Sequence, residues 1–110
     1  MHKALGAGLS EDVYANAFAL ELDARGVTFE REHRVEVRYR DKLIGFCKID
    51  FLVDRKLVVE LKSADDVSRQ HVAQTITYLR LVHQPLGLIV NFNVPLLKDG
   101  IKRVILGQDF

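Results

Sequence analysis

Two apolar runs, Leu43 to Val53 and Leu57 to Lys62, are separated only by Asp54-Arg55-Lys56. That is enough chain for a tight reversal and too little for a crossover, so the runs pair as an antiparallel hairpin. Pairing dictates parity. Ile49, Phe51 and Val53 alternate onto one face of their strand, as Leu57, Val59 and Leu61 do on the next, and these apolar faces are predicted to coincide. The opposite face then collects Asp50, Leu52, Val58, Glu60 and Lys62, with Asp50 directly across from Glu60.

The rest of the chain supplies partners for that hairpin. Ser10 can cap a helix from about Glu11 to Arg25, closed by Gly26, with Glu11 and Asp12 in its first turn and a stripe of Val13, Ala17, Leu20 and Ala24. Val35, Val37 and Tyr39 then alternate with Arg34, Glu36 and Arg38 as in a half-buried strand, and Asp41-Lys42 suits the turn that follows. Ser68 is placed to cap a second helix, with Val72, Ile76 and Leu79 on one stripe and His71, Gln74 and Tyr78 on its neighbour, ending near His83 ahead of Pro85. The apolar run Leu86 to Phe92 reads as a strand buried on both faces, and Ile101 to Leu106 as a final one. The order α-β-β-β-α-β, with that last strand added, predicts an α/β fold: a mixed central sheet flanked by helices.

Composition narrows the function classes. A chain of 110 residues with 48% hydrophobic content can fill one core, so a single domain over 1–110 is expected. The net charge of +1 is far from that of a nucleic-acid coat protein, so any electrostatic site is local. Cys47 is the only cysteine, which excludes an internal disulfide and suits a reducing compartment. No apolar run is long enough to span a bilayer and the start has no signal-peptide core, so a cytoplasmic protein without membrane attachment is expected.

Two carboxylates facing each other across a sheet destabilise it unless something offsets the repulsion, and a divalent cation does so. Hard oxygen ligands select magnesium, manganese or calcium over zinc, and magnesium characteristically takes one or two carboxylates plus waters and phosphate oxygens. Lys62 points to the same side as Glu60, where an ammonium can hold an attacking water or offset charge on a phosphate. The set matches phosphodiester hydrolysis. The plain alternative is that Glu60 and Lys62 form a strand-end ion pair and Asp50 is a solvated acid beside the turn.

The segment Ile49-Asp50-Phe51-Leu52-Val53 followed by Leu57-Val58-Val59-Glu60-Leu61-Lys62 resembles the catalytic hairpin of the PD-(D/E)xK nuclease superfamily. Gly8-Leu9-Ser10-Glu11-Asp12-Val13-Tyr14 is similar to the signature of the GxxExxY proteins, a bacterial family of that superfamily, and the likeness continues through Gln74 to Tyr78 and Gly87 to Phe92. The resemblance implies a restriction-endonuclease-like core and a metal-dependent nuclease using Mg2+ or Mn2+. It matches Glu11 to an acid of the first core helix that approaches the metal, beside Asp50 and Glu60 as ligands, and Gln74 with Tyr78 to a QxxxY element bordering the active site. Each has a simpler reading. An acid in a helix's first turn is favoured by the unpaired amides there, Gln74 can be a surface amide, Tyr78 a core-edge aromatic, and His71 a capping imidazole.

The resemblance also makes His2-Lys3-Ala4-Leu5-Gly6 the tail of a helix of which family members usually carry more, so an exposed apolar groove is expected nearby, coverable by a partner or by a second copy in a homodimer. Arg31, Arg34, Arg38, Arg40, Lys42 and Lys48 could meet a phosphate backbone, DNA more readily than RNA, but the interleaved Glu30, Glu32, Glu36 and Asp41 describe a mixed, solvated face. The competing functions are an inactive nuclease fold that binds nucleic acid or a protein without cutting, and an interaction module that pairs its hairpin edge with a partner.

Overall fold

The computed structural model describes residues 1–107. Its elements are α1 (His2–Leu5), α2 (Glu11–Ala24), β1 (Phe29–Tyr39), β2 (Lys42–Val53), β3 (Leu57–Lys62), α3 (Arg69–Val82), β4 (Leu86–Asn91), a 3-10 turn (Leu97–Gly100) and β5 (Ile101–Ile105). The strands form one sheet in the order β1-β2-β3-β4-β5. Every neighbouring pair is antiparallel except β3 and β4, which run parallel with α3 as the crossover between them. This is the expected mixed sheet.

Local chemistry accounts for the elements. Ser10 caps α2 by accepting the Val13 amide at 3.4 Å. Ser68 and His71 close a reciprocal box on α3: the Ser68 Oγ accepts the His71 amide at 3.1 Å and the His71 Nδ1 accepts the Ser68 amide at 3.2 Å. His71 is therefore a capping imidazole. Both hairpins reverse through residues of positive φ, Arg40 (51°) with Asp41 (61°) and Asp54 (53°) with Arg55 (57°), the backbone that matches the right-handed twist of the flanking strands.

The helices cover opposite faces of the sheet. On the α2 side, Tyr14 and Leu22 pack with Phe51, Val59, Leu61, Val90 and Phe92, and the Tyr14 ring stacks on Phe92 at 4.4 Å. On the α3 side, Tyr78 and Leu79 pack with Ile49, Leu52, Val58, Ile89 and Val104. The buried stripe of α2 thus runs Tyr14, Phe18, Leu22, whereas the expected stripe faces out at Val13 (43% exposed) and Leu20 (70%). Aromatic side chains bury more apolar area than valine or alanine, so they decide which way the helix turns. Among the described residues no helix is long and apolar enough to cross a membrane.

One parity expectation is corrected. Ile49 lies on the α3 side with Leu52, while Phe51 and Val53 lie on the α2 side. Strict alternation cannot put Ile49 and Phe51 on different faces, so β2 must break step at the residue between them, Asp50.

Candidate active site around Asp50 and Glu60

The break is visible in the ladders. β2 and β3 pair as Val53↔Leu57, Leu52↔Val58 and Phe51↔Val59, and the pairing stops there. The next partners in that register are Asp50 and Glu60, and at this step side chains replace backbone groups. The Asp50 amide donates to Glu60 Oε2 at 2.7 Å, and the Leu61 amide donates to Asp50 Oδ2 at 2.9 Å. On its other edge β2 pairs Phe51 with Arg31 and Ile49 with His33, but not Asp50 with Glu32, whose φ of 53° lies in the left-handed region uncommon for a residue with a side chain.

Each carboxylate is thereby tied down by one oxygen on the opposite strand. No hydrogen bond to its second oxygen is found among the described residues, and no buried side-chain oxygen there lacks a partner, so the second oxygens still meet solvent. The ion-pair alternative is not observed. Glu60 and Lys62 form no salt bridge among the described residues, and Asp50 is half-buried rather than solvated.

Burial pushes the Glu60 carboxyl up to about 8, with the facing Asp50 charge as the second cause; the amide bond and the Lys62 ammonium oppose the shift. Asp50 is raised for the same first reason, burial, against the Leu61 amide and Lys62, while Glu11 and Glu32 add to the rise. Two acids so placed resist ionising together, and a proton or another positive charge between them relieves the repulsion. Tyr78, buried beneath them, has its phenol pushed up to about 12, by burial first and by Glu60 next.

The surrounding chain fixes the frame. Glu11, at the start of α2, accepts the Ser63 amide at 3.3 Å, and the Ser63 hydroxyl donates to the Leu9 carbonyl at 2.6 Å. The Tyr14 hydroxyl holds the same entry loop by donating to the Gly6 carbonyl. From the other side, the buried Asn91 accepts the Ala64 amide at 3.2 Å and donates to its carbonyl at 2.9 Å. Lys62 ends β3 between these clamps, and its carbonyl accepts the Phe92 amide at 2.9 Å.

The structure therefore gathers Asp50, Glu60, Lys62 and Glu11 into one field, sets Tyr78 in the core below, and leaves Gln74 exposed on a groove it shares with Lys62. It does not draw Glu11 into a closed ligand set: among the described residues no three His, Cys, Asp or Glu side chains are grouped tightly enough to hold a metal. Sequence reasoning placed Arg31 and Glu32 only on a mixed-charge strand face and missed that they line a small cleft with Glu11 and Asp50. The turn at Arg40-Asp41 alone would set Glu32 across from Ile49; the register shift between Val37 and Arg38 moves it level with Asp50, and no local sequence signal announces that shift. An apolar cleft of about 380 Å³, lined by Met1, His2, Phe18 and Phe92 among others, lies on the α2 face apart from these acids.

A mixed sheet between helices, with acids and a lysine brought together on its central hairpin, defines the class of a restriction-endonuclease-like nuclease fold. The family model of the PD-(D/E)XK nuclease superfamily matches residues 1–104, and the chain belongs to that superfamily. No curated protein and no solved structure gives a match.

Proposed function

We propose that the protein is a divalent-metal-dependent nuclease that hydrolyses phosphodiester bonds, in DNA more readily than in RNA, at a site built on Asp50, Glu60 and Lys62. Membership of the superfamily supports nuclease chemistry in general. The observation that carries the finer reading is the crossed pair of amide bonds at Asp50 and Glu60, which orients two carboxylates that repel each other and leaves each an oxygen for a ligand. Hard, facing oxygens fit Mg2+ or Mn2+, and the two carboxylates would hold it, with Glu11, which lines the same small cleft as Asp50, as the acid that would meet its waters. Bound there, the ion would polarise a phosphate and lower the pKa of a water.

The chain's own groups do the rest. Lys62 offsets charge on the phosphate or holds the attacking water, Tyr78 closes the floor of the site against solvent, and Gln74 borders the groove beside Lys62. Incubating labelled DNA and RNA with wild-type protein and Mg2+ or Mn2+ should yield cleavage that vanishes with chelator and in Glu60→Ala and Lys62→Ala. Cleavage that persists in the purified double variant would rule out the assignment. One observation favours a second reading, a nuclease fold that binds nucleic acid or a protein partner without cutting: among the described residues no third side chain completes a ligand set around the two acids. Wild-type protein that binds oligonucleotide but never cuts it would select that reading.

A further inference from the structure

The ladder break at Glu32 and Asp50 decides which way the outer half of the β1–β2 ribbon faces. Beyond it, Val35, Cys47 and Ile49 pack with the α3 cluster. Alternation then turns Arg34, Phe46 and Lys48 to the α2 side, the side on which Glu11, Arg31, Glu32 and Asp50 line their cleft. Arg34 and Lys48 are direct partners in the ladder, two cations opposed in a sheet, an arrangement that weakens strand pairing. Both are exposed, and neither forms a salt bridge among the described residues. The Arg34 guanidinium lies 4.2 Å from the centre of the Phe46 ring, which orients the charge without neutralising it.

Among the described residues none of the acids interleaved with these cations forms a salt bridge with Arg34 or Lys48. Glu36 pairs with Arg38 at 2.9 Å, Glu30 with His33 and Arg55, and Glu32 faces Asp50. A run of mixed charge in the sequence is thus sorted, in the fold, into a face with two uncompensated cations. That face begins two residues from Asp50, about 7 Å along the strand, which spans roughly two phosphates of one strand measured along a duplex axis.

We propose that this face of the β1–β2 ribbon is a nucleic-acid-binding surface, with Arg34 and Lys48 seating the phosphate backbone beside the cleft that Asp50 lines. Its placement next to the acids deepens the nuclease reading, but binding can be measured without any cleavage. Fluorescence anisotropy of a labelled oligonucleotide duplex with the full chain in chelator, over a salt series, tests it. The double variant Arg34→Ala/Lys48→Ala should weaken binding at least tenfold and reduce the slope of log affinity against log salt by about 2. Arg34→Lys/Lys48→Arg should retain affinity, which separates charge from any folding effect. Arg55→Ala/Lys56→Ala, an equal charge change at the opposite hairpin turn, should stay within about twofold.

Equal losses in the two alanine pairs, no loss in the ribbon pair, or binding to phosphatidylserine vesicles with none to the oligonucleotide would overturn the proposal. If the ribbon pair loses binding while wild type never cuts, the surface stands and the nuclease reading falls. If wild type cuts and the ribbon pair binds as well as wild type, the reverse holds.

Discussion

Glu60 shows how burial becomes a pH response. Its carboxyl titrates near 8 instead of the 4.5 of a free side chain, first because it is buried and second because Asp50 faces it. Between those values the folded chain keeps a proton that the unfolded chain has released, so the metal-free protein should lose stability as pH rises through that window and level off above it. Asp50, also raised, adds to the loss with the same sign. Glu60→Gln keeps an oxygen to accept the Asp50 amide and removes the charge. In chelator at about pH 9 the variant should melt above wild type, and its melting temperature should vary less between about pH 5 and 8. Thermal melts across that range check both points; a wild-type melting temperature that climbs steadily over the window would contradict the shift.

At the scale of elements, the site depends on where strands and helices end. Ser68 holds the start of α3 through the box with His71, so Ser68→Ala should cost about 1 kcal/mol in chemical denaturation. Gly100 closes the 3-10 turn against the end of β4, and a Cβ there would lie 2.0 Å from the Asn91 carbonyl oxygen. Because the Asn91 side chain clamps Ala64, two residues past Lys62, Gly100→Ala should destabilise by more than about 2 kcal/mol. It should also weaken any metal response more than Ser68→Ala does. Equal stability of the Gly100 variant and wild type would mean that β4 can yield at that point.

At the scale of the whole molecule, a ligand that binds only the folded chain raises its melting temperature with concentration. At a hundredfold excess over Kd, Mg2+ or Mn2+ should stabilise the wild type by about 2.7 kcal/mol. Asp50→Asn/Glu60→Gln should show no such rise, because the facing charges that attract the ion are gone. A wild-type melting temperature indifferent to both ions would favour the non-cutting fold. The ion should also reverse the alkaline loss of stability, since it supplies the charge that the two carboxylates lack.

Much of this was written locally in the chain. The reversal at Asp54-Arg55-Lys56, the caps at Ser10 and Ser68, and the opposition of Asp50 to Glu60 follow from short-range spacing, because turn length and side-chain period act over a few residues. Tertiary packing decided what those rules cannot reach. Tyr14, Phe18 and Leu22 turned α2 away from its expected stripe, since only a facing sheet rewards aromatic burial. The left-handed Glu32 and the side-chain bonds at Asp50 broke the alternation of β2 and moved Ile49 to the other face. Beyond that break Arg34 and Lys48 turn to the side of the cleft that Glu32 lines with Asp50. Which face a strand presents beyond an irregularity depends on both of its neighbours, and one of them is remote in the chain.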